Sequence, residues 1–206
     1  MVTVLTGTGL AAEVAAIRQS STSMQDFRTG VHRIGIHLAV EASKHLPGRS
    51  TTVQTPLAPA EATMVDGDVI LLPVLRAGLG LLDAFLQVMP YASVGFAGLR
   101  RNEETLEPTE YYRRFPDSTS NTTFIIIDPM LATAGSMIAT LSMLKDLPHR
   151  SIMAACLIAA PEGVEALTAA HPDVPLFIAS LDDHLNEMGF IVPGLGDAGD
   201  RLFGTT

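Results

Sequence analysis

Residues Phe124–Ser136 read FIIIDPMLATAGS, a run of β-branched and apolar side chains that meets one acid, a proline and a loop of small residues. A strand apolar on both faces belongs in a parallel sheet covered by helices on both sides. The strand is expected to end on Asp128, and the loop from Thr133 to Ser136 to open a helix near Gly135. A helix N-terminus built from small residues is an anion site, because its free amides and the helix dipole point the same way. The hydroxyls of Thr133 and Ser136 add donors there. Asp128 suits sugar hydroxyls or the water shell of a magnesium ion rather than a phosphate. Phosphate on the loop and hydroxyls on the acid together predict a phosphorylated sugar as ligand.

The same switch from apolar run to helical pattern recurs along the chain. DVILLPVL precedes GLGLLDAFLQVM, SIMAACLIAA precedes PEGVEALTAAH, and SVGFAGL and LFIAS supply further short runs. This alternation predicts an α/β fold with a central, mostly parallel sheet flanked by helices. Met24, Phe27, Val31, Ile34 and Leu38 recur at helical spacing, with Ser23 and Asp26 as a capping pair, so a helix is expected from about Ser23 to His45. Arg100–Asn121 breaks the pattern with charge and two prolines, and reads as a long flap or β-arm. Ligands of an open parallel sheet bind beyond the carboxyl ends of its strands. The residues found there are Arg76-Ala77-Gly78, Arg100 and Arg101, Asp128 with its loop, and the glycine-rich IVPGLGDAGDRLFG near the C-terminus.

Composition bounds the function. The 206 residues fit one domain with a core that needs no staples. Thirteen Lys and Arg against 22 Asp and Glu give a formal charge of −9, the wrong sign for a general nucleic-acid binder. The single cysteine, Cys156, lies in an apolar run and reads as a small buried hydrophobe, which leaves no disulfide framework and no cysteine zinc site. Apolar runs fall short of the ~20 residues that span a bilayer. With no basic leader and with Glu13 interrupting the first apolar segment, neither a signal peptide nor a membrane partner is read, and a cytoplasmic protein is expected.

The segments PVLRAGLG, RNEETLEP, DPMLATAGS, AAPEG and GFIVPGLGDAGDRLFGT resemble, in order and spacing, the signature blocks of the uracil phosphoribosyltransferases, from about Val69 to Thr206. The resemblance implies one phosphoribosyltransferase domain over 1–206, with a flap at about 100–121 and a C-terminal uracil hood at about 181–206. It implies conversion of uracil and 5-phosphoribosyl 1-diphosphate to UMP and diphosphate. Asp128, Pro129, Met130, Leu131, Ala132, Thr133, Ala134, Gly135 and Ser136 would then hold the ribose 5-phosphate end of the donor, and Arg76 and Arg101 its diphosphate. Ile191, Gly196, Asp197 and Ala198 would frame uracil through main-chain groups, with Asp197 also facing the donor. Asp128, Arg101 and Asp197 are the implied catalytic residues, Asp197 assisting removal of the uracil N1 proton. Magnesium would arrive with the diphosphate, since Pro129 stands where related transferases often carry a second acid. A homodimer or higher homo-oligomer and a GTP effector also follow from the resemblance.

Two departures leave an alternative open. Ala134 stands where the family usually has glycine. If that position needs a positive φ, alanine costs on the order of 1 kcal/mol; if it needs only smallness, nothing changes. The N-terminal MVTVLTGTGLAAEVAAIRQ lacks the expected His-Pro-Leu element. A catalytically weak relative that senses phosphoribosyl diphosphate or UMP is the competing reading. Gly7–Ala12, GTGLAA, fits a loose dinucleotide fingerprint, but no second strand supplies a ribose-binding acid, and a plain strand, turn and helix is the simpler reading. Asp182, Asp183 and His184 are read as a solvated polar loop, and Met137, Met143 and Met153 as core filling.

Overall fold

The computed structural model describes residues 1–101 and 108–205, without the side chains of 99–101, 108 and 109. Strand β1 (Val2–Val4) leads through Gly7 into α1 (Thr8–Arg18), so GTGLAA forms a turn and a helix start. In α2 (Met24–Ser43) the Ser23 hydroxyl oxygen accepts the Asp26 amide at 3.1 Å, and Phe27, Val31, Ile34 and Leu38 are buried. The helix and its cap are those expected from the 3.6-residue spacing.

An unexpected hairpin follows, β2 (Gly48–Gln54) with β3 (Pro59–Val65), as a separate two-stranded sheet. The chain then alternates through β4 (Val69–Leu75), α3 (Leu79–Val88), β5 (Ser93–Val94), β6 (Phe96–Arg101), β7 (Pro108–Arg114), β8 (Thr123–Leu131), α4 (Gly135–Lys145), β9 (Ser151–Ala159), α5 (Pro161–Ala170) and β10 (Leu176–Leu181). A short hairpin, β11 (His184–Leu185) with β12 (Ile191–Val192), and α6 (Ala198–Phe203) complete it.

The main sheet runs β1-β10-β9-β8-β4-β6-β7, with β5 beside β4. Its described pairings are parallel except β6 with β7, the antiparallel base of the expected arm. Residues 102–107 of that arm lie outside the described residues. Alternate side chains of the central strands feed two cores, as a sheet covered on both faces requires. Ile125 and Ile127 pack with Phe27, Ile34 and Phe85 from α2 and α3. Phe124 and Ile126 pack with Met137, Leu141 and Leu167 from α4 and α5. Cys156 is wholly buried, as are Met137 and Met153, while Met143 is only half-buried.

One boundary differs from expectation. β8 continues through Asp128 to Leu131, because β9 still offers partners: Asp128 pairs with Cys156, Met130 with Ile158 and Leu131 with Ala159. On its other side β4 pairs only as far as Ile127. The last four residues of β8 are thus paired on one side alone, which is where a proline is tolerated and where a crevice opens.

Candidate active site

That crevice is a cavity of about 310 Å³ beyond the carboxyl ends of β4 and β8. Arg76 and Ala77 enter it from the turn after β4, Asp128, Met130 and Ala132 from the end of β8, and Gly189–Ile191 and Gly196–Gly199 from the C-terminal segment. Eight residues expected at a site therefore line one cavity: Arg76, Asp128, Met130, Ala132, Ile191, Gly196, Asp197 and Ala198.

The other expected residues divide into three groups. The side chains of Pro129 and Leu131 are buried, which leaves only their main chain for a ligand. Thr133–Ser136 form the turn into α4 beside the cavity without lining it. Arg101 closes β6, and its side chain lies outside the described set. Ala77 and Gly199, which fall in the stretches expected beyond the strand ends, also line the cavity, as do Gly189 and Phe190, for which no role was expected. Gly189 and Phe190, the latter the one aromatic among the lining residues, immediately precede Ile191.

The loop resolves the question posed by Ala134. Its φ is 64° and ψ 0°, left-handed, and it is the sole non-glycine residue with positive φ among those described. Its methyl is buried in the α4 and α5 core. A penalty of on the order of 1 kcal/mol for the left-handed backbone is thus set against about 0.8 kcal/mol from burying a methyl. The first helical bond of α4 runs from Ile138 N–H to Ala134 O at 2.9 Å, so the amides of Gly135, Ser136 and Met137 have no intrahelical acceptor.

Asp128 is half-buried, and a single long bond of 3.4 Å from the Met130 amide reaches its Oδ1 among the described residues. Removal from water pushes its carboxyl up to about 7, against the smaller pull of that amide. The neighbouring Cys156 thiol is driven up by burial and by the Asp128 charge, so it stays protonated. Across the cavity Arg76 donates to Thr205 Oγ1 at 3.3 Å and stands 3.7 Å from Asp200 Oδ1. Its side chain remains 57 % exposed, so the guanidinium is oriented yet available to an anion. Asp197 caps α6, its Oδ1 accepting the Asp200 amide at 2.9 Å.

The reading of Asp182 as solvated is corrected. It is 6 % exposed and ion-paired to Arg18, while His184 beside it is exposed. Among the described residues no cluster of three or more His, Cys, Asp or Glu could hold a metal. Nor, among them, is any helix long and apolar enough to cross a membrane.

Comparison with known proteins gives a consistent result. The profile of the uracil phosphoribosyltransferases matches residues 4–205. Uracil phosphoribosyltransferase of Halalkalibacterium halodurans is 50 % identical over 190 residues, covering 92 % of this chain and 91 % of its own. That of Geobacillus kaustophilus is 47 % identical over the same coverage. A solved structure of an Aquifex aeolicus protein superposes with a TM-score of 0.93 at 35 % identity, covering 100 % of this chain and 99 % of its own. A purine phosphoribosyltransferase from Pyrococcus horikoshii shares the fold alone, with a TM-score of 0.51 at 17 % identity over 75 % of this chain and 87 % of its own.

Proposed function

The chain belongs to the uracil phosphoribosyltransferase family, and from that premise we infer that its cavity joins uracil to 5-phosphoribosyl 1-diphosphate, releasing UMP and diphosphate. The observation that carries the reading is the meeting of Arg76, Asp128, Ile191 and Gly196–Ala198 around one cavity. It puts a cation, an acid and a main-chain surface around a space of ligand size.

The unpaired amides at the start of α4 suit the 5-phosphate of the donor, and Asp128 its ribose hydroxyls. Arg76, with Arg101 from the arm, would hold the diphosphate. Main-chain groups of Ile191 and Gly196–Ala198 would match the alternating carbonyls and N–H groups of uracil. Cytosine would leave such groups unpaired, which is how a polar site rejects an analogue.

In the reaction uracil N1 forms a bond to C1 of the ribose while the bond from C1 to the diphosphate oxygen breaks, its electron pair leaving with diphosphate. Positive charge that develops on the ribosyl ring is favoured by the Asp128 carboxylate, and the charge on the leaving oxygens by the arginines. Asp197 would take the N1 proton on Oδ2, since Oδ1 is engaged in the helix cap. The flap at about 100–121 and the hood at about 181–206 would exclude water from the one domain.

Magnesium fits as an ion carried in on the diphosphate, for which Asp128 offers a hard oxygen donor in the cavity; when bound it would neutralise charge on the leaving group. A homo-oligomer, a GTP effector and a cytoplasmic location belong to the same reading. A competition assay tests the choice of base. Uracil and cytosine offered together with the donor should yield UMP with no CMP, and CMP formation at a comparable rate would overturn main-chain recognition of uracil.

A further inference from the structure

Gly194 is held at both ends by a single buried ion pair. Arg18, at the end of α1, donates from Nη1 to Asp182 Oδ2 at 2.7 Å and to Gly194 O at 2.7 Å. Its Nη2 bonds the other oxygen of Asp182 and, at 3.0 Å, Ser180 Oγ. Asp182 Oδ2 in turn accepts the Gly194 N–H at 2.8 Å. The Asp182 side chain is 1 % exposed and that of Arg18 21 %. Both polar main-chain groups of one residue are thus consumed by two side chains from opposite ends of the sequence.

Gly194 has φ +58°, and a Cβ there would fall 2.1 Å from Ile191 O. The Gly194 backbone therefore lies close against the carbonyl of Ile191, a residue that lines the cavity. The next carbonyl is pinned to the same helix end: Arg201 Nη1 bonds Leu195 O at 2.8 Å and Ile17 O at 2.7 Å. Two successive carbonyls are drawn toward the end of α1, and neither residue lines the cavity, whereas Gly196–Gly199 do. The buried Gly194 backbone is thus satisfied by the same two side chains that fix its place between Ile191 and Gly196.

We propose that Arg18 and Asp182 are positioning residues, which act through Gly194 to aim the main-chain groups that read the base. The inference rests on the uracil reading of this cavity, and it predicts a defect confined to the uracil side. Asp182→Asn keeps an acceptor for Gly194 but loses the charge. Arg18→Met loses all four bonds of the guanidinium, and Arg18→Lys keeps the charge without the fork.

Steady-state kinetics should show the uracil KM raised roughly tenfold or more in Asp182→Asn and Arg18→Met, as misplacement by a fraction of an ångström produces. The donor KM should stay within about twofold of the parent, because the side chains of this pair bond Gly194 and Ser180 and neither Arg76 nor Asp128. The double variant should be no worse than the worse single one, since both changes break the same clamp. If Arg18→Met does not fold, Arg18→Lys carries the test and should show the same split in smaller measure. An unmoved uracil KM in folded variants, or a parallel rise of both KM values, would overturn the proposal while parental turnover upholds the reaction. A parent that forms no UMP would overturn the reaction itself.

Discussion

Gly163, in the first turn of α5, lies so close to the end of β8 that a Cβ built on it would fall 2.2 Å from the carbonyl oxygen of Ala132. The Leu131 carbonyl would be 2.7 Å away. Both obstacles are backbone, so neither can swing aside. Helix α5 is thus the back wall of the loop that enters α4, and the absent side chain sets the position of Ala132 in the cavity.

Gly163→Ala is therefore expected to displace the loop rather than a side chain. Overpacking of this kind costs roughly 1–3 kcal/mol of stability, and a shift of about 1 Å at a substrate-positioning loop costs up to about a hundredfold in rate. Thermal unfolding and kcat/KM for the donor, measured together, check both halves.

Ala134→Gly should do little. The variant relieves the left-handed alanine but empties a buried methyl site, two changes of about 1 kcal/mol and opposite sign. Stability within about 1 kcal/mol of the parent and turnover within about threefold are expected, both readable from a denaturant titration and a single assay. A large gain in turnover would mean that the methyl distorts the loop.

Asp128→Asn should separate stability from activity. Burial holds the Asp128 carboxyl at about 7 in the folded chain, above its value of 3.8 when exposed. A raised carboxylate pKa favours folding fully below the exposed value, and that advantage is lost as pH rises through the folded value. The neutral amide carries no such loss. Asp128→Asn should thus melt above the parent at pH 8, with the difference shrinking toward pH 4, while UMP formation falls at least about a hundredfold. Paired melting curves across that range supply the check.

Arg76→Gln removes the charge that Asp200 and Thr205 orient across the cavity. The exposed pair itself contributes little, so stability should stay within about 0.5 kcal/mol of the parent. The KM for the donor should rise roughly tenfold or more, with the uracil KM much less affected.

The central strands, both cores and the place of the cavity were legible in the sequence, because continuous apolar runs and a 3.6-residue spacing are local patterns. β8, β9 and α2 follow from them directly, and the strand ends then locate Arg76 and Asp128. The β2–β3 hairpin was not legible: in β2 residues such as Arg49, Ser50 and Thr51 are exposed or half-buried, and the alternation in β3 rests on two small residues, Ala60 and Ala62, neither of them buried. Asp182 was misread for a different reason. Its partner Arg18 lies 164 positions away, and a carboxylate beside another acid and a histidine looks solvated until the fold brings the guanidinium to it. The sign of φ at Ala134 is likewise set by where β8 stops and α4 starts, which composition does not encode.

The most direct test of the account is UMP formation from uracil and phosphoribosyl diphosphate with magnesium, run for the parent and Asp128→Ala side by side with donor binding. Sustained turnover by the parent, lost in the variant, is the predicted result. Donor binding by the parent without any UMP would contradict it and mark the chain as a binding protein that lacks the family's reaction.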